Sequence, residues 1–166
     1  VCCGTTPNCC AGHSLGEIPA LVAAESIAFE DAFRLTQTRA RLMSENVPEG
    51  GMAAVLGLSP HAIEEILPED VDVANYNGPQ QTVISGSRVG LDTAEAALKA
   101  AGAKRVLRLP VSGPFHSRLM KSASEHFAEV LAKITILPPQ LRFVSSVSGM
   151  EVSAPEEIRA LLGKQI

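Results

Sequence analysis

Ser14 stands between two glycines in Gly12-His13-Ser14-Leu15-Gly16, with Glu17 directly after. Gly-x-Ser-x-Gly is the pattern of a nucleophile elbow, a sharp turn that lifts a serine hydroxyl between a strand and a helix. Both glycines are expected to be needed, because such a turn leaves no room for side chains beside the nucleophile. The flanks agree. Cys9-Cys10-Ala11 is a short apolar run suited to a strand, and Glu17 to Ala24 reads as a helix with Pro19 in its first turn. Ser14 then lies at a helix N-terminus, where backbone amides and the dipole favour negative charge. The same residues admit a plainer reading, a glycine-rich loop with a capping serine.

A serine needs a base to become a nucleophile at neutral pH, and histidine is the usual one. Of the four histidines, His13 lies within the turn, His61 in the first turn of a helix, and His126 among Glu125 and Glu129 on an amphipathic helix. Those positions suit structural or surface residues. His116 differs, lying in Val111-Ser112-Gly113-Pro114-Phe115-His116-Ser117, a Gly/Pro-shaped loop after a strand, where functional side chains are often presented. A third residue stands out by its helical position. At 100° per residue, Phe29, Ala32, Leu35, Leu42 and Met43 form one apolar stripe, and Arg39 falls inside it, about 30° from its centre. Arg34 and Arg41 lie opposite, each four residues from a glutamate, Glu30 and Glu45. An inward guanidinium is costly unless it meets an anion. The residues alone leave open whether that anion is a buried carboxylate of the chain or a bound ligand.

These side chains need a scaffold to hold them. The second helix is expected over about Phe29 to Asn46, ended by Pro48 and Gly50-Gly51. Met52 to Leu58 reads as a strand, and Ser59-Pro60 opens a short helix to about Leu67. Val71 to Asn75 and Gln81 to Ser85 read as strands around Asn77-Gly78-Pro79. A helix from about Val89 to Ala101 stops at Gly102, and Lys104 to Leu109 alternates as a strand. That order, β-α-β-β-α-β, is the ferredoxin-like unit, and Gly/Pro punctuation on both sides marks it as an insertion. Beyond it, Leu119, Ala123, Phe127, Val130 and Leu131 keep helical spacing, and Leu141 to Val147 is a strand candidate.

Composition narrows the function classes. The chain has 166 residues, 46% of them hydrophobic, enough for a core. It lacks a run of 18 apolar residues and a signal-peptide-like start, so neither a membrane nor export is expected, and the expected location is cytoplasmic. A net charge of −4, one tyrosine and no tryptophan argue against nucleic-acid partners. The cysteines form two vicinal pairs, a spacing that suits metal poorly. Cys9 and Cys10 are read as strand residues, Cys2 and Cys3 as a ragged end, and no metal or cofactor is expected. Starting without methionine, close to a motif that needs a preceding sheet, the sequence reads as a partial chain.

Five segments in order resemble the malonyl-CoA:acyl carrier protein transacylases. They are Ala11 to Glu17, Thr38-Arg39-Ala40-Arg41-Leu42-Met43, Met52-Ala53-Ala54-Val55, Asn75-Tyr76-Asn77-Gly78-Pro79 with Val83-Ile84-Ser85-Gly86, and Leu109 to Ser117. The resemblance runs from about Ala11 to the end. It implies an α/β fold in which a serine hydrolase-like α/β subdomain (1–50 and 111–166) carries an inserted ferredoxin-like βαββαβ subdomain (51–110). It further implies Ser14 as nucleophile, His116 as base, Arg39 as receptor for the free malonyl carboxylate and the Leu15 amide as half of the oxyanion hole. Malonyl-CoA would be a substrate rather than a cofactor, and acyl carrier protein the partner. Phe115 would crowd a 2-methyl branch, favouring malonyl over methylmalonyl units.

The departures from that family are an absent N-terminal Gly-Gln-Gly-Ser-Gln-type motif, an approach to the elbow over Val1 to Cys10 that fails to resemble the usual one, and a downstream glutamine expected just beyond Ile166. Lys104, Arg105, Arg108, Arg118 and Lys121 form a candidate basic docking patch for an acidic carrier protein. The competing readings are a serine esterase, an acyltransferase domain of a polyketide or fatty-acid megasynthase, and an inactive fragment that only binds carrier protein.

Overall fold

The computed structural model describes residues 7–45 and 47–166. Cys2, Cys3 and Asn46, the expected end of the second helix, lie outside the described residues. In chain order the elements begin with β1 (Cys9–Ala11), α1 (Glu17–Ala23), α2 (Phe29–Leu42) and β2 (Gly51–Leu56). Next come α3 (Pro60–Glu64), β3 (Val71–Gly78), β4 (Gln81–Gly86), α4 (Arg88–Ala100) and β5 (Arg105–Arg108). The last are α5 (Lys121–Leu131), β6 (Arg142–Val144) and α6 (Pro155–Leu162). The chain forms two compact units, Val1–Arg41 with Ser124–Gln165, and Leu42–Ala123 with Ile166. These divisions differ from 50/51 and 110/111, so the segments 42–50 and 111–123, His116 included, go with the second unit. Packing gives the reason: a side chain at Gly50 would meet Pro114 and the Gly86 carbonyl, and one at Gly113 would meet Val47.

In the first unit β1 and β6 pair in parallel, Cys9 opposite Arg142 and Ala11 opposite Val144. Its core comprises Leu21, Leu35, Phe127, Leu131, Phe143, Ile158 and Leu162, each at most 1% exposed. Burying one such side chain contributes about 1.5–3 kcal/mol. β6 is shorter than the expected Leu141–Val147 run because the chain turns back at Ser145, whose N–H donates to the Met150 carbonyl at 3.1 Å. α6 is an element the sequence reading lacked, although its signals were present: Pro155 in its first turn, Glu156 and Glu157 after it, then Ile158, Leu161 and Leu162. Arg159 of α6 donates to the Leu131 carbonyl at the end of α5 and to the Ile134 carbonyl just past it, the second at 3.0 Å.

In the second unit the expected β-α-β-β-α-β order holds, with one antiparallel sheet in the order β3-β4-β2-β5. β2 is central and buried on both faces, as its unbroken apolar run requires. Ala53 and Val55 pack with Ile63 of α3, Ile84, Leu91 and Leu98. Met52, Ala54 and Val83 face the other way, where Ala74, Leu109 and Phe115 cover them. Gly57, at φ 91°, ends β2 two residues before the expected Leu58. Ser59 and Ser87 cap α3 and α4, accepting from the Ala62 and Gly90 amides at 3.3 and 2.9 Å. Among the described residues no helix is long and apolar enough to cross a membrane.

Candidate active site

β1 delivers the chain to Gly12, and the elbow follows. A Cβ at Gly12 would lie 1.9 Å from the Gly16 carbonyl oxygen, so only glycine fits there. Gly16 corrects the expectation of two indispensable glycines. Its φ is −61° and a Cβ would meet nothing within 4 Å. Ser14 itself adopts φ 50°, a left-handed conformation that a serine holds only when its surroundings impose it. Ser14 is half-buried and Leu15 is 44% exposed, both in the short 3-10 turn that leads into α1.

Arg39 points inward from α2, as its place in the apolar stripe requires, and is 7% exposed. Its Nη2 donates to Ser14 Oγ at 2.7 Å and to the Gln165 carbonyl at 3.0 Å. Its Nε is buried without a partner, and among the described residues no carboxylate pairs with it. Among the described residues Arg39 is thus not half of a buried salt bridge. Burial holds the guanidinium below its usual range. Arg34, on the opposite face, pairs with Asp31 at 3.5 Å and not with Glu30.

Gln165 is the residue that sequence reasoning missed. Gln165, just past α6, is 4% exposed, with its backbone carbonyl on Arg39. A single glutamine after a helix carries no periodicity or motif of its own. Only recognition of α6 and its stop at Gly163 would have drawn attention to it.

In the second unit His116 has φ 59° and is half-buried. The loop around it is fastened from both sides. Ser117 Oγ donates to the Pro114 carbonyl at 2.6 Å, and Phe115 packs onto the sheet. The Arg118 amide donates to Asp72 Oδ2 at 2.7 Å, while its guanidinium forks onto the same carboxylate. Burial alone would raise the Asp72 carboxyl, but the bonds from Arg118 outweigh it and hold it below the ordinary range. Arg118 is therefore a clamp. Arg108 is likewise paired, with Asp92 at 2.6 Å and Glu95 at 3.2 Å. Arg108 and Arg118, both in the expected docking patch, thus pair with acids of the chain. His13, His61 and His126 are exposed, His61 within 3.6 Å of Glu65. Among the described residues no cluster of His, Cys, Asp and Glu is arranged to hold a metal.

The acyl transferase domain family matches residues 1–161. The malonyl CoA-acyl carrier protein transacylase of Salmonella typhimurium strain LT2 is 44% identical over 98% of this chain and 55% of its own. The solved malonyl CoA-acyl carrier protein transacylase of Coxiella burnetii superposes with a TM-score of 0.92 at 39% identity, over 98% of this chain and 54% of its own. A type II PKS acyl-carrier protein in complex with its malonyl-transacylase gives a TM-score of 0.91 at 42% identity, over 98% and 55%. The chain spans about half the length of the curated relatives it matches. A match across nearly the whole of this sequence settles its descent: the chain belongs to the acyl transferase domain family.

Proposed function

We propose that the chain carries the acyl-enzyme chemistry of a malonyl-CoA:acyl carrier protein transacylase of fatty-acid synthesis, working in the cytoplasm without a cofactor. The observation that carries this reading is the contact of a buried, carboxylate-free arginine with the hydroxyl of a strained serine at 2.7 Å. In a malonyl thioester the free carboxylate lies one methylene from the carbonyl carbon that a serine would attack. A receptor for it must therefore sit within a few ångströms of Oγ, and Arg39 does. The guanidinium fork matches a planar carboxylate better than an ammonium would.

Ser14 Oγ attacks the thioester carbonyl and its proton passes to His116. The tetrahedral oxyanion is held in part by the Leu15 amide and collapses to a malonyl-serine ester. The CoA thiolate leaves and takes the proton from His116. In the second half the phosphopantetheine thiol of acyl carrier protein attacks that ester, again with His116 as base, and Ser14 regains its proton. Phe115, beside the histidine, disfavours a 2-methyl branch by about 1–3 kcal/mol. An esterase is the weaker reading, since a desolvated cation on Oγ opposes a neutral acyl chain. A megasynthase acyltransferase domain would run the same chemistry.

The test is intact mass after incubation with malonyl-CoA, with Ser14→Ala alongside. A gain of one malonyl group, absent in the variant, is expected. A folded chain that gains nothing, or a variant that still gains, would reject the assignment.

A further inference from the structure

Glu17 is 1% exposed and has no task in the chemistry above. A carboxylate taken out of water needs hydrogen bonds to offset the loss. Its Oε1 accepts the Ser146 N–H at 3.0 Å, and its Oε2 accepts the Ser146 hydroxyl at 3.4 Å. Because that hydroxyl donates to Glu17, its lone pairs are turned to accept, and Gln165 Nε2 donates to it at 3.1 Å. This holds the side-chain amide of Gln165 in place. Separately, the backbone carbonyl of Gln165 accepts from Arg39 Nη2, the nitrogen that also reaches Ser14 Oγ. Glu17, Ser146 and the Gln165 side chain thus form a relay that pins the residue whose backbone carbonyl holds Arg39, the arginine at the nucleophile. Gln165 lies past the end of α6 at Leu162. Its side chain ties this irregular segment to the turn after β6.

We infer that Glu17 and Ser146 are positioning residues that aim Arg39 at the acyl group, acting through Gln165. The inference rests on the reading of Arg39 as the carboxylate receptor and deepens it. Breaking the relay frees one of the two anchors of the guanidinium. Carboxylated acyl groups then lose more than neutral ones.

Ser146 is exposed, so Ser146→Ala removes the relay hydroxyl without opening the core. Acylation rates from malonyl-CoA and acetyl-CoA are compared for the parent, Ser146→Ala, Ser146→Thr, Glu17→Gln and Arg39→Ala. Binding of malonate against acetate, followed on the Arg39 Nε–H resonance, gives the same comparison without turnover. Ser146→Ala is expected to lower the malonyl preference about three- to tenfold with unchanged melting temperature. Glu17→Gln should move it in the same direction, Ser146→Thr should restore it, and Arg39→Ala should abolish it. If Arg39→Ala abolishes the preference while Ser146→Ala leaves it intact, the relay is overturned and the receptor stands. If Arg39→Ala also leaves it intact, or the parent shows no preference in either assay, the receptor reading falls and the relay with it.

Discussion

Arg118 and Arg39, one in each unit, meet the problem of placing a guanidinium in opposite ways. Arg118 is 59% exposed along its side chain and lays its fork on Asp72, with Nη2 to Oδ1 at 2.7 Å and Nε to Oδ1 at 3.0 Å. Arg39 is 7% exposed and among the described residues finds a hydroxyl and a carbonyl oxygen but no carboxylate. The exposed charge is compensated by the chain; the buried one is not. An uncompensated charge attracts more strongly where the dielectric is low, which is the physical basis for proposing Arg39 as an anion receptor. A paired arginine fastens a loop. Burial and partner chemistry, and not residue type, separate anchoring from binding.

The comparison breaks or holds most sharply on two alanine variants. Arg39→Ala should cost malonyl transfer roughly 2–5 kcal/mol, the scale for a buried charge left without its partner. It should raise the relative rate with acetyl-CoA. Arg118→Ala acts only through the His116 loop, and should slow malonyl and acetyl transfer by the same factor, less than about tenfold. Acylation rates with both thioesters decide the matter. A shift in substrate preference from Arg118→Ala would show that the exposed arginine also recognises the acyl group.

A second pair sharpens the account of the elbow. Gly12→Ala places a methyl 1.9 Å from the Gly16 carbonyl oxygen, so the turn must open. A loss of about 1–3 kcal/mol in denaturant unfolding is expected, with acylation falling further because Ser14 leaves its φ of 50°. Gly16→Ala meets open space at an ordinary helical φ and should stabilise by about 0.4–1 kcal/mol. Equal losses from the two would mean that the pattern's second glycine is constrained by something other than local sterics.

These contrasts show where the sequence was readable. The elbow, the βαββαβ order and the inward turn of Arg39 were legible because each rests on local rules, a turn pattern or a helical period of about 3.6 residues. The α6 helix obeyed the same rules and was overlooked. Gln165, Glu17 and the Arg118–Asp72 clamp were not legible, since each joins positions distant in sequence: 126 residues separate Arg39 from Gln165 and 46 separate Asp72 from Arg118. Spacing reports which face a residue takes and says nothing of what the fold brings to that face. The ion pairs within the basic patch were hidden for the same reason, because counting cations along the chain cannot reveal that Asp72, Asp92 and Glu95 stand opposite two of them.

The smallest expected effect is a difference in the sign of two pH slopes. Asp72 is held below its ordinary 3.8 by Arg118. Below that value the unfolded chain binds the proton first, so Asp72 contributes stability that is present above it and fades as pH falls. Glu17 is raised above its ordinary 4.5 by burial, against the hydrogen bonds from Ser145 and Ser146. Just above 4.5 the folded chain holds the proton longer, so its contribution fades as pH rises. Denaturant unfolding followed across the acid range should show Asp72→Asn flattening the loss on the acid side. Glu17→Gln should flatten the decline toward neutrality. A Glu17→Gln curve parallel to the parent between about pH 5 and 7 would mean that Ser145 and Ser146 fully offset the burial of that carboxylate. The relay would then start from a charge that folding leaves unperturbed.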